Sequence, residues 1–514
     1  MSDTFYLTTP LYYVNAEPHL GHTYTTVLAD TVARYQRSMG RDVFFLTGTD
    51  EHGDKIAEAA AEHGDEPREY ADRVSEIFRS TWDACDITYD HFIRTTDEHH
   101  VAFVTDVLQK VYDKGDIYFG EYGGNYCTGC ERFYTEKELV DGKCPDHERV
   151  AEWISEENYF FRMGNYQQQL IDHINADDSF IVPTGYRNEV LGLLREPLED
   201  LCISRPKSRL TWGIELPFDD KYVTYVWFDA LINYLSGLYR QRESDAAQIW
   251  PNANHFIAKD ILKPHAVFWP TMLMSAGYPL YAHLNVHGYW NMGESKMSKS
   301  LGNVIRPLEM KELYGLDSFR YFLLRDMVFG QDSAFTEDAF VTRFNADLSN
   351  GLGNLVSRVL SMQRKYFDGI VQPMGDHLDA EDEKVRDAFA HAEARMKELV
   401  EKLSFHTALE EIWVALATCD KYIVDQAPFK MWKHEEMQPR VGAILHVLTD
   451  ALAHAARLLA PFMPETSVRI AELLSIDVSP LGDPMPTWFE SFAEDHQLAK
   501  PEPLFPRLEV DKAS

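Results

Sequence analysis

Residues 5–53, "FYLTTPLYYVNAEPHLGHTYTTVLADTVARYQRSMGRDVFFLTGTDEHG", decide the fold class. A short strand-like run, "FYLTT", leads into a loop through Pro10 and Pro18, then into a helix-like run with Val27, Leu28, Val32 and Tyr35 on one side. A second strand-like run, "DVFFL", closes the unit. Strand, helix and strand in this order predict an α/β domain with a parallel sheet and crossover helices, and such sheets bind ligands at the carboxyl ends of their strands. The loop and the turn at 47–53 both lie at that edge.

Working outward, the alternation breaks from about Tyr118 into glycine- and cysteine-bearing sequence, "GGNYCTGCERFYTEKELVDGKCPDHERV", which reads as an insertion. Strand-like runs return with "KYVTYVWFDA" and "NHFIAKD", so the second half of the α/β domain is expected to resume near Glu215. From about Ala346 the chain reads as helical, with heptad-like segments such as "DAFAHAEARMKELVEKL" and "VGAILHVLTDALAHAARLLAPFM" between Pro, Gly and acidic breaks. The last residues read as a strap or tail.

A length of 514 residues predicts three or more packed units at about 100–200 residues per domain. No uncharged apolar stretch of roughly 18 residues occurs, and the first ten residues lack the basic and apolar segments of a signal peptide. A soluble, cytoplasmic chain with no membrane partner is expected. The formal net charge of −33 argues against an extended basic grip on nucleic acid, so any RNA contact must be local and shape-dependent. Of six cysteines, three crowd between Cys127 and Cys144, which fits metal binding better than a disulfide framework.

His19 and His22, in "HLGH", fall where a strand hands over to a helix. Imidazoles beside the positive end of a helix can donate hydrogen bonds to a phosphoryl oxygen as charge builds on it. The same spacing also suits a metal half-site or a surface coincidence. Further along, Lys296 and Lys299 lie in "NMGESKMSKSLGN", a glycine- and serine-flanked loop whose lysines can clamp a leaving pyrophosphate. Alone, that loop is an exposed basic turn; both motifs in order on one α/β domain point to nucleotide chemistry.

The spacing Cys127-x2-Cys130-x13-Cys144-x2-His147 is close to that of a knuckle wrapping a tetrahedral Zn2+, with all four ligands supplied and no position left for a catalytic water. The competing reading is reduced buried cysteines with a surface histidine. Cys85, Cys202 and Cys419 are scattered and read as packing residues.

"HLGH" and "KMSKS" together resemble the paired signatures of the class I aminoacyl-tRNA synthetases. The stretches "TTPLYYVNAEPHLGH", "FLTGTDEHG", "YVWFDALINY", "KPHAVFWPTML" and "LNVHGY" are similar to those of the methionyl-tRNA synthetase family, a resemblance running over essentially the whole chain. It implies a methionine–tRNA ligase that forms methionyl-adenylate from methionine and Mg2+-bound ATP, then charges tRNA(Met). His19 and His22 would steady the α-phosphate, and Lys299 with Lys296 the departing pyrophosphate. Asp50 would hold the substrate ammonium and Asp260 would serve the nucleotide. Leu11, Tyr13, Trp227, Ala230, Leu231, Tyr234, Ile261, His265 and Trp269 would line the side-chain pocket.

Aromatic faces suit a thioether, and Tyr13 and His265 could offer weak hydrogen bonds to sulfur; plain core packing is the other reading of Trp227, Tyr234 and Trp269. Where the family usually has glycine, this chain has Ala258, a handicap for ATP if the backbone there needs positive φ or lies against the adenosine. Asn354 and Arg358, one helical turn apart, would read a CAU anticodon, with Phe429 stacking on a base where the family commonly has tryptophan. Outside the family such an Asn and Arg would be solvated surface.

The implied architecture is a Rossmann-type parallel-sheet catalytic domain (1–116 and 215–290) split by a connective insertion with the zinc knuckle (117–214). A connector carrying the lysine loop (291–345), an α-helical anticodon-binding domain (346–490) and a tail (491–514) follow. The insertion is too short for a separate hydrolytic editing domain, and a monomer is expected in the absence of an appended C-terminal domain. Another class I synthetase for a small apolar or sulfur-bearing amino acid such as cysteine, a tRNA-independent nucleotidyltransferase and a non-catalytic tRNA-binding or scaffold homologue are the alternatives.

Overall fold

The computed structural model describes residues 4–127, 132–134, 138–145, 149–293, 295–296, 304–485, 487–489, 492–493 and 495–509. They fall into two compact units: Met1–Ala29 with Asp42–His287, and Asp30–Arg41 with Gly288–Ser514.

Unit 1 is built on a seven-stranded parallel sheet. Its order runs Tyr12–Tyr13, Val43–Asp50, Phe5–Thr8, Ala253–Ala258, His283–His287 and Ile181–Val182, with His91–Arg94 also pairing to Val43–Asp50. Val43–Asp50 is buried along its whole length, the mark of an inner parallel strand covered on both faces. Gly48 within it is obligatory, because a Cβ there would stand 1.8 Å from the carbonyl oxygen of Ile93 on the neighbouring strand. Asp50, Ala258 and His287 each end a parallel strand, so the ligand-binding edge expected from 5–53 is in place.

Three features differ from the sequence reading. The helix Leu20–Ser38 is buried almost all round from Thr23 to Ala33, where an amphipathic stripe was expected. The run "KYVTYVWFDA" is not one strand: Asp219–Thr224 pairs antiparallel with Ser204–Pro206 and Glu215–Leu216, outside the parallel sheet, and Val226–Ala230 is helical. A continuous apolar run does not distinguish a buried strand from a buried helix. Finally, Ile181–Val182 pairs with His283–His287 in the parallel sheet, so the stretch 117–214 contributes an edge strand as well as its own antiparallel sheet around Ile117–Cys127 and Glu152–Phe161.

Unit 2 is mainly helical. Arg320, fully buried, donates to Asp30 Oδ2 at 2.7 Å and to the Phe462 carbonyl at 3.0 Å. The helical stretch Glu435–Leu459 has the length and mean hydropathy (1.2) of a membrane span, but 94% of that window is buried inside the protein as core. The C-terminal segment is a strap: Val371 N–H donates to the His496 carbonyl, Leu498 N–H to that of Gly369, and Asn345 exchanges two hydrogen bonds with the Leu508 backbone.

Candidate active site

The two imidazoles of "HLGH" meet at the start of Leu20–Ser38. Their rings stack at 3.8 Å and 24°. His19 is fixed from both ends: its carbonyl accepts from the Thr23 N–H and hydroxyl, and its Nδ1 accepts from the Gly21 N–H at 3.1 Å. Neutral His19 therefore carries its proton on Nε2. A Cβ at position 21 would come within 3.0 Å of the His19 ring, so the glycine lets backbone and imidazole approach. Behind them, Tyr12 and Phe78 pack against the His22 ring at 5.0 and 5.4 Å, and the Tyr12 hydroxyl bonds Thr26 Oγ1 at 2.7 Å. Paired N–H donors at a helix N-terminus suit a phosphoryl oxygen. Lys296 belongs to the two-residue strand Ser295–Lys296 in unit 2; Lys299 lies outside the described residues.

The aromatic residues of unit 1 form one run of contacts. Tyr13 pairs across the sheet with Asp50, which is 2% exposed at its strand end. The Tyr13 ring meets Trp227 edge-on at 6.5 Å, and Trp227 meets His265 at 6.3 Å. Tyr234 donates its hydroxyl proton to His265 Nε2 at 2.7 Å, while His265 Nδ1–H donates to the Ile261 carbonyl at 2.9 Å. Burial pushes the His265 imidazole down to about 4, so it is neutral at physiological pH. Both ring nitrogens are thus bonded within the protein, and in this arrangement the residue offers its ring face and carbon edge. The π-helical turn Pro264–Phe268 sets the ring's aim.

Behind this layer, Trp269 Nε1–H donates to His255 Nε2 at 3.3 Å, which leaves His255 Nδ1–H to donate to Thr8 Oγ1 at 2.8 Å. Burial holds His255 well below the ordinary imidazole range. Leu231 is buried in the same core, with Leu11, Trp227 and Ile261 half-buried on it; Ala230, 6% exposed, follows in the helix of Trp227. Asp260 is exposed in the turn Lys259–Ile261. Ala258 has φ −81° and ψ 156°, ordinary extended backbone, so no positive-φ requirement penalises the alanine.

Sequence reasoning missed a buried polar cluster beside these residues. The Asp229 carboxylate, fully buried, accepts from His52 Nδ1–H at 2.6 Å and His100 Nε2–H at 2.8 Å, and His100 Nδ1 pairs with Ser236 Oγ at 2.7 Å. Burial pushes this carboxyl up, but the two histidines outweigh it and hold it below the usual range. Glu51, also buried, is gripped by Arg94 at 2.6 and 2.8 Å and by the Thr49 and Thr96 hydroxyls. Arg205 is a buried guanidinium between the rings of Tyr126 and Tyr225. The stretches "TDEHG" and "WFDAL" contain four of these residues, but nothing in a linear sequence pairs them with His100.

Of the knuckle residues, Cys127 and Cys144 are buried in one small cluster with Tyr134, whose hydroxyl is 3.3 Å from Cys144 Sγ. Cys130 and His147 lie outside the described residues, and among the described residues no set of three or more metal-ligating side chains occurs. Cys85 and Cys419 are buried and Cys202 half-buried, as packing residues should be. In unit 2, Asn354 opens the helix Asn354–Phe367 as an exposed residue, and Arg358, one turn on, pairs with Asp420 at 2.7 Å, each side chain 35% exposed. Phe429 is 47% exposed in the short helix Pro428–Met431.

A parallel sheet carrying stacked histidines at a helix start, followed by a helical unit, is the arrangement the resemblance to class I aminoacyl-tRNA synthetases implies, and comparison with known families shows that class. The family model for class I tRNA synthetases (M) matches residues 5–151 and 147–360, and that for the anticodon binding domain of methionyl tRNA ligase matches 372–514. A methionine–tRNA ligase of Caldanaerobacter subterraneus subsp. tengcongensis is 43% identical over 100% of this chain and 80% of its own length; one of Deinococcus radiodurans is 45% identical over 92% and 70%. The Mycobacterium tuberculosis methionyl-tRNA synthetase in complex with methionyl-adenylate superposes with a TM-score of 0.91 at 38% identity, covering 99% of this chain and 100% of that one. Its apo form gives 0.84 at 35%. This chain belongs to the methionyl-tRNA synthetase family.

Proposed function

We propose that the residues gathered at the strand ends of unit 1 activate methionine. The observation that supports this most directly is the run Tyr13–Trp227–His265–Tyr234–Trp269 beside Asp50: polarisable aromatic surface for a thioether next to a carboxylate for an ammonium group. The methionine carboxylate attacks the α-phosphorus of ATP, the bond to the bridging oxygen breaks, and pyrophosphate leaves. His19 and His22 donate to the α-phosphate as negative charge builds, and Lys296 and Lys299 take up charge on the leaving group. A ribose hydroxyl of the terminal adenosine of tRNA(Met) then attacks the methionyl carbonyl and AMP departs. Asp260 serves the nucleotide, and Mg2+ bound to ATP neutralises phosphate charge.

The buried thiols of Cys127 and Cys144 fit a metal-binding knuckle, and with Cys130 and His147 they would hold a structural Zn2+. Asn354, Arg358 and Phe429 read the anticodon, and the chain acts as a cytoplasmic monomer. The test is charging of in vitro transcripts with radiolabelled methionine. A transcript with the CAU anticodon should be charged, and one with an altered anticodon charged at least about tenfold less efficiently. Equal charging of both would overturn the anticodon assignment, and charging of neither would favour a non-catalytic homologue.

A further inference from the structure

The buried Asp229 cluster joins four chain segments. His52 belongs to the turn after Val43–Asp50, His100 to the helix Glu98–Asp113, Asp229 to the helix Val226–Ala230 and Ser236 to the helix Asn233–Gln241. Both imidazoles donate to the one carboxylate, so their tautomers are fixed: His52 is protonated on Nδ1 and His100 on Nε2. A buried carboxylate is a poor way to gain stability, since well-packed apolar groups of similar volume often do as well or better. What it adds is direction, because a carboxylate accepting from two sides fixes its partners relative to each other.

Two members of the cluster adjoin in sequence the residues assigned to the two ends of methionine. His52 is two residues beyond Asp50, and Asp229 is two residues beyond Trp227 and one before Ala230. We propose that Asp229, bridged to His52 and His100, is a positioning residue that sets the spacing between the ammonium-binding carboxylate and the thioether-binding aromatic wall, so that methionine spans both at once. The proposal rests on the roles given above to Asp50 and Trp227. It gives His52 a part that is neither phosphate binding nor metal ligation, at the wall of an open cleft of about 950 Å3 shared with Val101, Thr105 and residues 213–221. Two anchors held at the wrong separation bind a bidentate ligand poorly while each still binds its own half.

That asymmetry is the readout. In methionine-dependent ATP–pyrophosphate exchange, Asp229→Asn should raise KM for methionine by about ten- to a hundredfold. The inhibition constant of 4-(methylthio)butanoate, which is methionine without its amine and needs only one of the two anchors, should change by less than about twofold, as should KM for ATP. His52→Ala should behave like Asp229→Asn, and His52→Asn, whose amide donates from nearly the place of Nδ1, should recover most of the loss; this pair decides the matter if Asp229→Asn fails to fold. Equal weakening of both ligands, or an unchanged methionine KM in His52→Ala, would overturn the clamp. Failure of the underlying reading looks different: wild-type protein without methionine-dependent exchange, or an Asp50→Asn variant with normal methionine KM, removes the premise and the proposal with it.

Discussion

The substrate-side cluster of unit 1 and the anticodon face of unit 2 are assigned to recognition, yet they are built in opposite ways. In unit 1 the polar atoms of Tyr234, His265, Trp269 and His255 are spent on one another and on Thr8 and Ile261, and all four side chains are almost wholly buried before any ligand arrives. In unit 2, Asn354 and Phe429 face solvent and Arg358 is held by a part-exposed ion pair with Asp420. The difference follows from the ligands. A small, flexible thioether can be selected only by walls already in place, because one methylene in an apolar pocket is worth roughly 1–3 kcal/mol. An unstacked RNA base brings its own hydrogen-bonding edge and needs groups free to meet it. An exposed ion pair contributes about 0.2–1 kcal/mol, so exchanging Asp420 for a base costs Arg358 little.

The largest effect is expected at the phosphate end of unit 1: His22→Ala should lower the rate of methionine-dependent exchange by about 10²–10³ with the fold retained by circular dichroism. A fall of less than about tenfold would make the stacked imidazoles mere packing. Next, Tyr234→Phe leaves His265 Nε2 buried without its donor, which should cost about 1–3 kcal/mol in urea unfolding and raise KM for methionine. An unchanged urea midpoint would mean that the pocket wall is not pre-set by this bond.

A third prediction concerns pH. His265 in unit 1 and His454 in unit 2 are both held near 4 by burial, against about 6.5 in an unfolded chain. The folded state binds fewer protons, so their contribution is fully present above about pH 6.5 and is lost as pH falls through 4, reaching on the order of 1–2 kcal/mol per histidine at pH 5. Urea midpoints should therefore fall between pH 7.5 and 5, and flat midpoints would contradict the burial argument.

Smaller effects belong to unit 2. Arg358→Ala should raise KM for tRNA by about tenfold and leave pyrophosphate exchange untouched. Asp420→Asn, which frees Arg358, should change stability by no more than about 1 kcal/mol and should not weaken charging. If it weakens charging as much as Arg358→Ala does, the ion pair itself is the recognised element.

The parts legible in the sequence were those whose information is local. Residues 5–53 carry a strand, a helix start and a second strand in periodicity and turn chemistry, and "HLGH" brings two imidazoles together because a three-residue spacing at a helix start sets them one turn apart. Cys127 and Cys144 share a buried cluster, which both the knuckle reading and the reading as reduced buried cysteines allow. What was not legible depends on tertiary pairing. "YVWFDA" became a helix because an apolar run carries no period of its own, and Ile181–Val182 is too short to announce an edge strand. Asp229 meets His52 and His100 across 177 and 129 residues, a juxtaposition that only the folded sheet supplies. The hydrogen-bond partners of His265, Tyr234 and Ile261, are hidden for the same reason, since packing fixes them.

Amino-acid-dependent ATP–pyrophosphate exchange across all twenty amino acids, with Lys299→Ala as control, tests whether unit 1 activates methionine. Exchange with methionine alone, lost in the variant, is the predicted result. Exchange with no amino acid, or with another in preference to methionine, would contradict it.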